Sequence, residues 1–367
     1  MNDPRVEAMA KVLTGYSLAV KEGDLVRIQG GAEGAPLLLA LYEEILGRGA
    51  HPWVQLGLDG AEEIFYKRAS DAQLDFIPKF VAEMIEEIHA SISVWTETNT
   101  KRLTGADPAR QARRAQAMRP LSERFLARAA RKELRWTGTL YPTPAFAQDA
   151  EMSLREFEEF VFGACLVGEE DPIAAWKDIS RRQQALIEWL APRTEIHVAG
   201  PDTDLRLKVG GRTWVNCDGH ENFPDGEIFT GPIEDSVEGR IRFTYPAIFH
   251  GREVEDVRLE FKGGRVVKAS AAKNEEFLLK MLDTDEGARY VGEFAFGTNP
   301  GVQRFTKNTL FDEKIGGTIH LALGKGYPES GSKNSSAIHW DMVCDLRQGG
   351  EVRVDGKLFV KDGTFLV

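Results

Sequence analysis

Apolar positions in the first half of the chain alternate between two spacings. Met9, Val12 and Leu13 fall at helical spacing within residues 3–20, where Asn2 or Asp3 supplies a cap and Pro4 sits near the first turn. Asp24-Leu25-Val26-Arg27-Ile28-Gln29 then runs into Gly30-Gly31, the pattern of a buried strand ending in a turn. A helix over Ala35–Gly47, a strand over His51–Leu56, a helix over Leu74–Ile88 and a strand over Ala90–Trp95 repeat that unit. Strand-helix-strand order predicts a parallel sheet with right-handed crossovers. A long charged helix over Pro108–Lys132 precedes a short strand, Glu133–Thr137. Tyr141-Pro142-Thr143-Pro144 breaks the chain ahead of an acidic helix, Ser153–Val167, and another helix, Pro172–Leu190, which Pro192 ends.

Beyond residue 190 the texture changes to short runs with strand character: Glu195–Val198, Thr203–Leu207, Gly239–Thr244 and Val257–Phe261. Lys262-Gly263-Gly264-Arg265 is a hairpin signal leading into Val266–Ala271, a helix over Asn274–Asp283 interrupts, and Ile319–Val367 is again β with many glycines. The pattern predicts an α/β domain with a mostly parallel sheet over residues 1–190 and a β-rich α+β domain over residues 191–367. No internal repeat or low-complexity stretch interrupts either.

Composition narrows the function more than the fold. With 42% hydrophobic and 28% charged residues the chain of 367 residues is ordinary for a soluble protein. A net charge of −11 argues against nucleic-acid or anionic-membrane partners, and the basic stretch Arg110–Arg135 is interleaved with Ala and Leu at helical spacing, as on a solvated helix face. Cys165, Cys217 and Cys344 are too few and too scattered for a disulfide framework. The start of the chain lacks a signal-peptide pattern and no run of about 18 apolar residues occurs, so a cytoplasmic protein is expected. Gly30-Gly31-Ala32-Glu33-Gly34 is not G-x-G-x-x-G, and Glu33 would oppose a pyrophosphate, which disfavours a nicotinamide dehydrogenase. H-E-x-x-H, G-x-S-x-G and the P-loop are absent.

The candidate chemistry lies in the β-rich half. His339 and Asp341 stand two apart in a strand-like run, so they project from one face while Trp340 turns to the other. Glu227 opens a short apolar strand after a Pro-Asp-Gly turn, Glu293 follows Gly292 at the mouth of another, and His320 lies within Ile319–Leu323. Taken singly, each carboxylate reads equally as a solvated strand end, and His320 as a buried neutral imidazole bonded to a carbonyl. Together they form a set of carboxylates and imidazoles without thiolate, which suits zinc, cobalt or manganese held for catalysis. Tyr327, beyond a Gly-Lys-Gly turn, is placed either to donate to a developing oxyanion or to pack on Pro328. Cys344 falls on the face opposite Asp341 and is expected in the core.

Three strings then carry a resemblance: Asn222-Phe223-Pro224-Asp225-Gly226-Glu227-Ile228-Phe229-Thr230-Gly231-Pro232, Gly292-Glu293-Phe294-Ala295-Phe296-Gly297-Thr298-Asn299, and Ser335-Ser336-Ala337-Ile338-His339-Trp340-Asp341. With Tyr141-Pro142-Thr143-Pro144 and the acidic helix after it, the chain resembles the thermophilic-type metallo-aminopeptidases, the family that includes aminopeptidases T and S. The resemblance implies two divalent ions held by Glu227, Glu293, His320, His339 and Asp341, with Tyr327 as the active-site tyrosine and Glu227 or Glu293 doubling as proton carrier. It also implies peptide substrates with a free N-terminus, attack by a hydroxide activated between the ions, and a homodimer enclosing a cavity, with residues 1–190 serving substrate access and dimer contacts. The eleven residues between Tyr327 and His339 are shorter than the loop some similar enzymes carry there. A metal-dependent amidohydrolase or esterase on a non-peptide substrate, and a binding protein that has lost turnover, are the competing readings.

Overall fold

Strand-helix alternation through residue 140 builds a parallel sheet in the computed structural model, which describes residues 3–249 and 251–367. The first helix, α1 (Pro4–Val12), is capped by Asp3, whose carboxylate accepts the Arg5 N–H at 2.9 Å; Asn2 lies outside the described residues. It continues as a π-helical turn over Leu13–Ser17 and stops at Ala19, whose φ of 43° is left-handed, so it is shorter than the expected 3–20. Strands β1 (Leu25–Gly31), β2 (His51–Gly57), β3 (Ala90–Trp95) and β4 (Arg135–Leu140) pair in parallel in the order β2-β1-β3-β4. Between them come helices α2 (Ala35–Gly47), α3 (Lys79–Glu87) and α4 (Pro108–Ala130). The helix expected over Leu74–Ile88 is two, Asp71–Asp75 and α3, because Pro78 holds an extended conformation between them.

Two sequence motifs acquire structural explanations here. Gly31 and Gly34 are small because a Cβ on either would lie 2.5 Å from Thr96, whose hydroxyl accepts the Gly31 N–H. That is turn packing, as expected. The arginines of α4 are largely engaged: Arg113 with Asp71 and Asp75, Arg114 with the carbonyls of Leu74 and Phe76, Arg128 with the carbonyls of Ile85 and Ile88.

The chain divides into two compact units, but not at residue 190. The first comprises residues through Ile173 with Gly219–Phe223, whose strand pair Asn222–Phe223 extends the parallel sheet beside β4; the second comprises Ala174–Asp218 and Pro224–Val367. The first unit also holds α5 (Leu154–Ala164), opened by a Ser153–Glu156 capping box. Most of α6 (Pro172–Leu190) belongs to the second unit because Gln183 on it donates to the carbonyls of Cys217 and Glu227. Periodicity identified this helix without revealing which sheet it serves.

The second unit stacks two antiparallel sheets. One has eight strands, including Glu195–Gly200, Thr203–Lys208 and Glu351–Val354. The other has five: β5 (Val215–Cys217), β6 (Glu227–Thr230), β7 (Val291–Gly297), β8 (Thr318–Gly324) and β9 (His339–Asp345), in the order β9-β8-β7-β6-β5. Between β6 and β7 lies helix α7 (Glu275–Leu282), and between β7 and β8 the short α8 (Thr309–Asp312). Ile196, Val198, Leu205 and Leu207 from the larger sheet meet Phe294, Phe296, Ile319, Leu321, Trp340 and Met342 from the smaller in one core. Cys344 joins it as expected.

Candidate metal centre

Outside a bulge between Val291 and Glu293 in β7, the strands of the smaller sheet alternate, so the ionisable residues of the candidate set, lying between core positions, point to the other face. Those residues are Glu227 on β6, Glu293 on β7, His320 on β8, and His339 and Asp341 on β9. Register brings them together: Ala322 lies opposite Glu293 on one side and Asp341 on the other, while His320 lies opposite Ala295. Ala295 and Ala322 are small, so the longer side chains converge above them. Gly226 sets the entry to β6. Its φ is 121°, and a Cβ there would meet Asn299 at 2.7 Å, so only glycine fits immediately before Glu227.

The ligand candidates form two triads that share Glu293. Glu227, Glu293 and His320 have ligand atoms all within 4.8 Å of one another, and so do Glu293, His339 and Asp341. Oε1 of Glu293 lies 3.2 Å from Nε2 of His320, and its Oε2 lies 3.7 Å from Nε2 of His339. Nε2 of His339 is also 3.5 Å from Oδ1 of Asp341. The Nδ1 of His339 lies 2.7 Å from the Lys325 carbonyl, a partner that orients the ring with Nε2 toward the carboxylates, the usual outer support of a ligating histidine.

Burial and charge explain the ionisation of the cluster. Burial by itself would lower both histidines, yet the bond to Glu293 and the charges of Glu227 and Glu313 carry His320 up to about 9. Asp341 and Glu293 likewise outweigh burial at His339 and carry it up to about 10. Burial raises Glu293, whereas at Asp341 the charges and hydrogen bond of its neighbours, His339 foremost, overcome burial and hold it well below the usual carboxylate range. Carboxylates packed this closely against imidazoles draw positive charge into the pocket, which is one reason the set suits cations. The donor set fits divalent cations for a second reason: Oε2 of Glu227 is buried and accepts no hydrogen bond, although it faces Nε2 of His320 at 3.4 Å.

Tyr327 stands at the edge of the cluster, its ring 5.0 Å from that of His339 and 5.5 Å from that of Phe229. Burial and the nearby carboxylates push its phenol well up, so it keeps its proton at neutral pH. Two further charged residues, Glu313 and Lys314, were not anticipated. The Lys314 side chain is 1% exposed, and its ammonium donates to Oε1 of Glu227 at 3.0 Å and to Oε2 of Glu313 at 2.6 Å. Burial raises the Glu313 carboxyl against the pull of Lys314, while Glu227, Glu313 and Asp225 more than offset burial at Lys314 and keep it charged. An adjacent Glu-Lys pair reads as surface; no periodic signal marks these two. Lys314 is buried and Glu313 half-buried because the segment after α8 turns inward, with the Asn299 N–H bonded to the Lys314 carbonyl and the Gly316 N–H to Val302. Cys217, Asp225 and Glu227 make a third close group, in which burial keeps the thiol neutral.

The profile of the thermophilic metalloprotease (M29) family matches residues 2–365, and the chain belongs to that family. Aminopeptidase T of Thermus aquaticus is 31% identical over 97% of this chain and 95% of its own. The structure of AmpT from Thermus thermophilus superposes with a TM-score of 0.86 at 26% identity, covering 99% of both chains. A 2,5-dihydroxypyridine dioxygenase of Pseudomonas putida KT2440 shares the fold at a TM-score of 0.61 and 15% identity, over 99% of this chain and 97% of that one. The fold therefore does not define the reaction, and the side chains of the site must.

Proposed function

We propose that this metalloprotease is an aminopeptidase that removes residues from peptides with a free N-terminus, using two divalent cations held by Glu227, Glu293, His320, His339 and Asp341. The observation that carries this reading is Glu293, which offers one oxygen to each triad and so suits a carboxylate shared by two ions. Zinc, cobalt or manganese bound there would acidify a water to a nucleophile and polarise the scissile carbonyl. The chain's own residues do the rest. A carboxylate of the pocket can take a substrate α-ammonium, and the protonated phenol of Tyr327 is available to donate to the oxyanion. One of the two glutamates, Glu227 or Glu293, doubles as the carrier of a proton to the leaving amine. Homodimerisation and a cytoplasmic setting are part of the same reading. Among the described residues no helix is long and apolar enough to cross a membrane.

The test pairs metal dependence with amine dependence. A chelator is expected to abolish release of N-terminal residues, and zinc, cobalt or manganese to restore it, with N-acetylated peptides left intact. Full activity after complete metal removal refutes the metal reading. Equal cleavage of free and acetylated substrates favours the amidohydrolase or esterase instead.

A further inference from the structure

Lys314 is the one residue of the cluster whose chemistry no ligand role uses. An ammonium has no lone pair to give a metal, and burying one is costly unless it is paired. A methionine or leucine would fill the same volume without that cost, so packing does not account for the charge. Its geometry points elsewhere. The ammonium lies on the Glu227 side of the cluster, 3.0 Å from Oε1, while the other oxygen of the same carboxylate, Oε2, is buried without a hydrogen bond and faces His320. The two oxygens of one glutamate thus have different partners. Glu293, by contrast, has one oxygen toward each histidine.

We infer that Lys314 is a positioning residue of the metal centre: it occupies Oε1 of Glu227, commits Oε2 alone to the cation of the Glu227–Glu293–His320 triad, and makes that triad unequal to the Glu293–His339–Asp341 one. Glu313 is the anchor of the device. It takes a second bond of the ammonium at 2.6 Å, so Lys314 is held from two sides and cannot swing away from Glu227. The consequence is a glutamate restricted to single-oxygen coordination in a fixed rotamer. The second triad, which Lys314 does not touch directly and reaches only through Glu313 beside Asp341, keeps most of its own affinity. This inference rests on the metal-centre reading above.

Cobalt(II) titrated into the metal-stripped full chain, followed by calorimetry and visible absorption, tests it. The unsubstituted chain is expected to show two binding steps. Lys314→Met should weaken one step by about 10–100-fold, the range for losing an outer partner of a ligand, and leave the other within about threefold. Lys314→Arg, which keeps charge and donors, should recover most of the loss, whereas a merely structural lysine would not discriminate between the steps. Lys314→Gln, with a shorter neutral side chain that retains an N–H donor, is read by the same criterion if the Met variant does not fold. Parallel weakening of both steps, no weakening of either, or an Arg variant as weak as Met overturns the role of Lys314 while leaving the two-metal reading intact. Fewer than two steps in the unsubstituted chain overturns both.

Discussion

The two faces of the five-stranded sheet are built from alternate residues of the same strands, yet they obey opposite rules. One face carries Phe294, Phe296, Ile319, Leu321, Trp340 and Met342 and is buried in the core between the two sheets. The other, one residue away in each strand, carries Glu227, Glu293, His320, His339 and Asp341, with buried carboxylates close to imidazoles. The apolar face is stabilised by removing surface from water. The polar face costs stability unless cations balance it. A sheet can carry this combination because its register is held by the apolar side: a one-residue slip would exchange the faces completely. The core therefore positions the site, holding candidate ligand atoms from four strands against their mutual repulsion.

The contrast can be broken most severely at the residue shared by both triads. Glu293→Ala is expected to reduce bound metal from two ions toward none and to abolish peptide hydrolysis; metal content after desalting and initial rates check this, and retention of both ions would show that Glu293 is not shared. Next in size is His339→Ala, which removes a donor from one triad and should cost one ion and nearly all activity. An intact metal complement with full rate would remove His339 from the centre. Tyr327→Phe should keep both ions and lower kcat by about 10²–10³, the range for loss of one oxyanion donor, with little change in KM. An unaltered kcat would leave the tyrosine as rim packing against Phe229.

Smaller effects sharpen the comparison from the stability side. Burial raises the Asp312 carboxyl to about 7 even though its Oδ1 accepts from the Thr306 N–H and hydroxyl. A folded-state value above the ordinary 3.8 means stability that is present at pH 4 and lost as the pH rises through 7. Asp312→Asn removes that titration, so its stability relative to the parent should rise by about 2–4 kcal/mol between pH 4 and pH 7.5. Denaturant midpoints at the two pH values provide the measurement, and a pH-independent difference would contradict it. The smallest change is expected on the apolar face. Trp340 is 1% exposed and rests on Phe249, but its indole N–H is buried without a hydrogen bond. Trp340→Phe loses volume while removing an unsatisfied donor, two terms that oppose each other, so a net cost of about 1 kcal/mol is expected with metal binding and rate preserved. Loss of metal in this variant would mean that the two faces are not separable.

How legible these features were depended on the range of the interactions behind them. The strand bearing His339 and Asp341 was readable because its face assignment needs only a period of two, and the same rule placed Trp340 and Cys344 in the core. The split at Pro78 was equally local, although the apolar spacing from Leu74 to Ile88 masks it. The allocation of α6 was not readable, since it depends on Gln183 reaching carbonyls of Cys217 and Glu227, more than thirty residues away. Lys314 was the least legible of all, because a charged residue beside another charged residue has no sequence mark of burial.

By itself, then, the sequence determined the alternation of strands and helices, the change of texture toward β, the chemical identity of the metal-binding candidates and the face that His339 and Asp341 share. All of these follow from backbone geometry and side-chain spacing within a few residues. Only the tertiary structure decided that Glu293 lies between two histidines, that Asn222–Phe223 pairs with the first unit's sheet, and that Lys314 occupies one oxygen of Glu227. These depend on strand order, register and the path of connecting segments, which are set by the packing of surfaces far apart in the chain. Closing those long loops costs entropy that only the assembled core offsets.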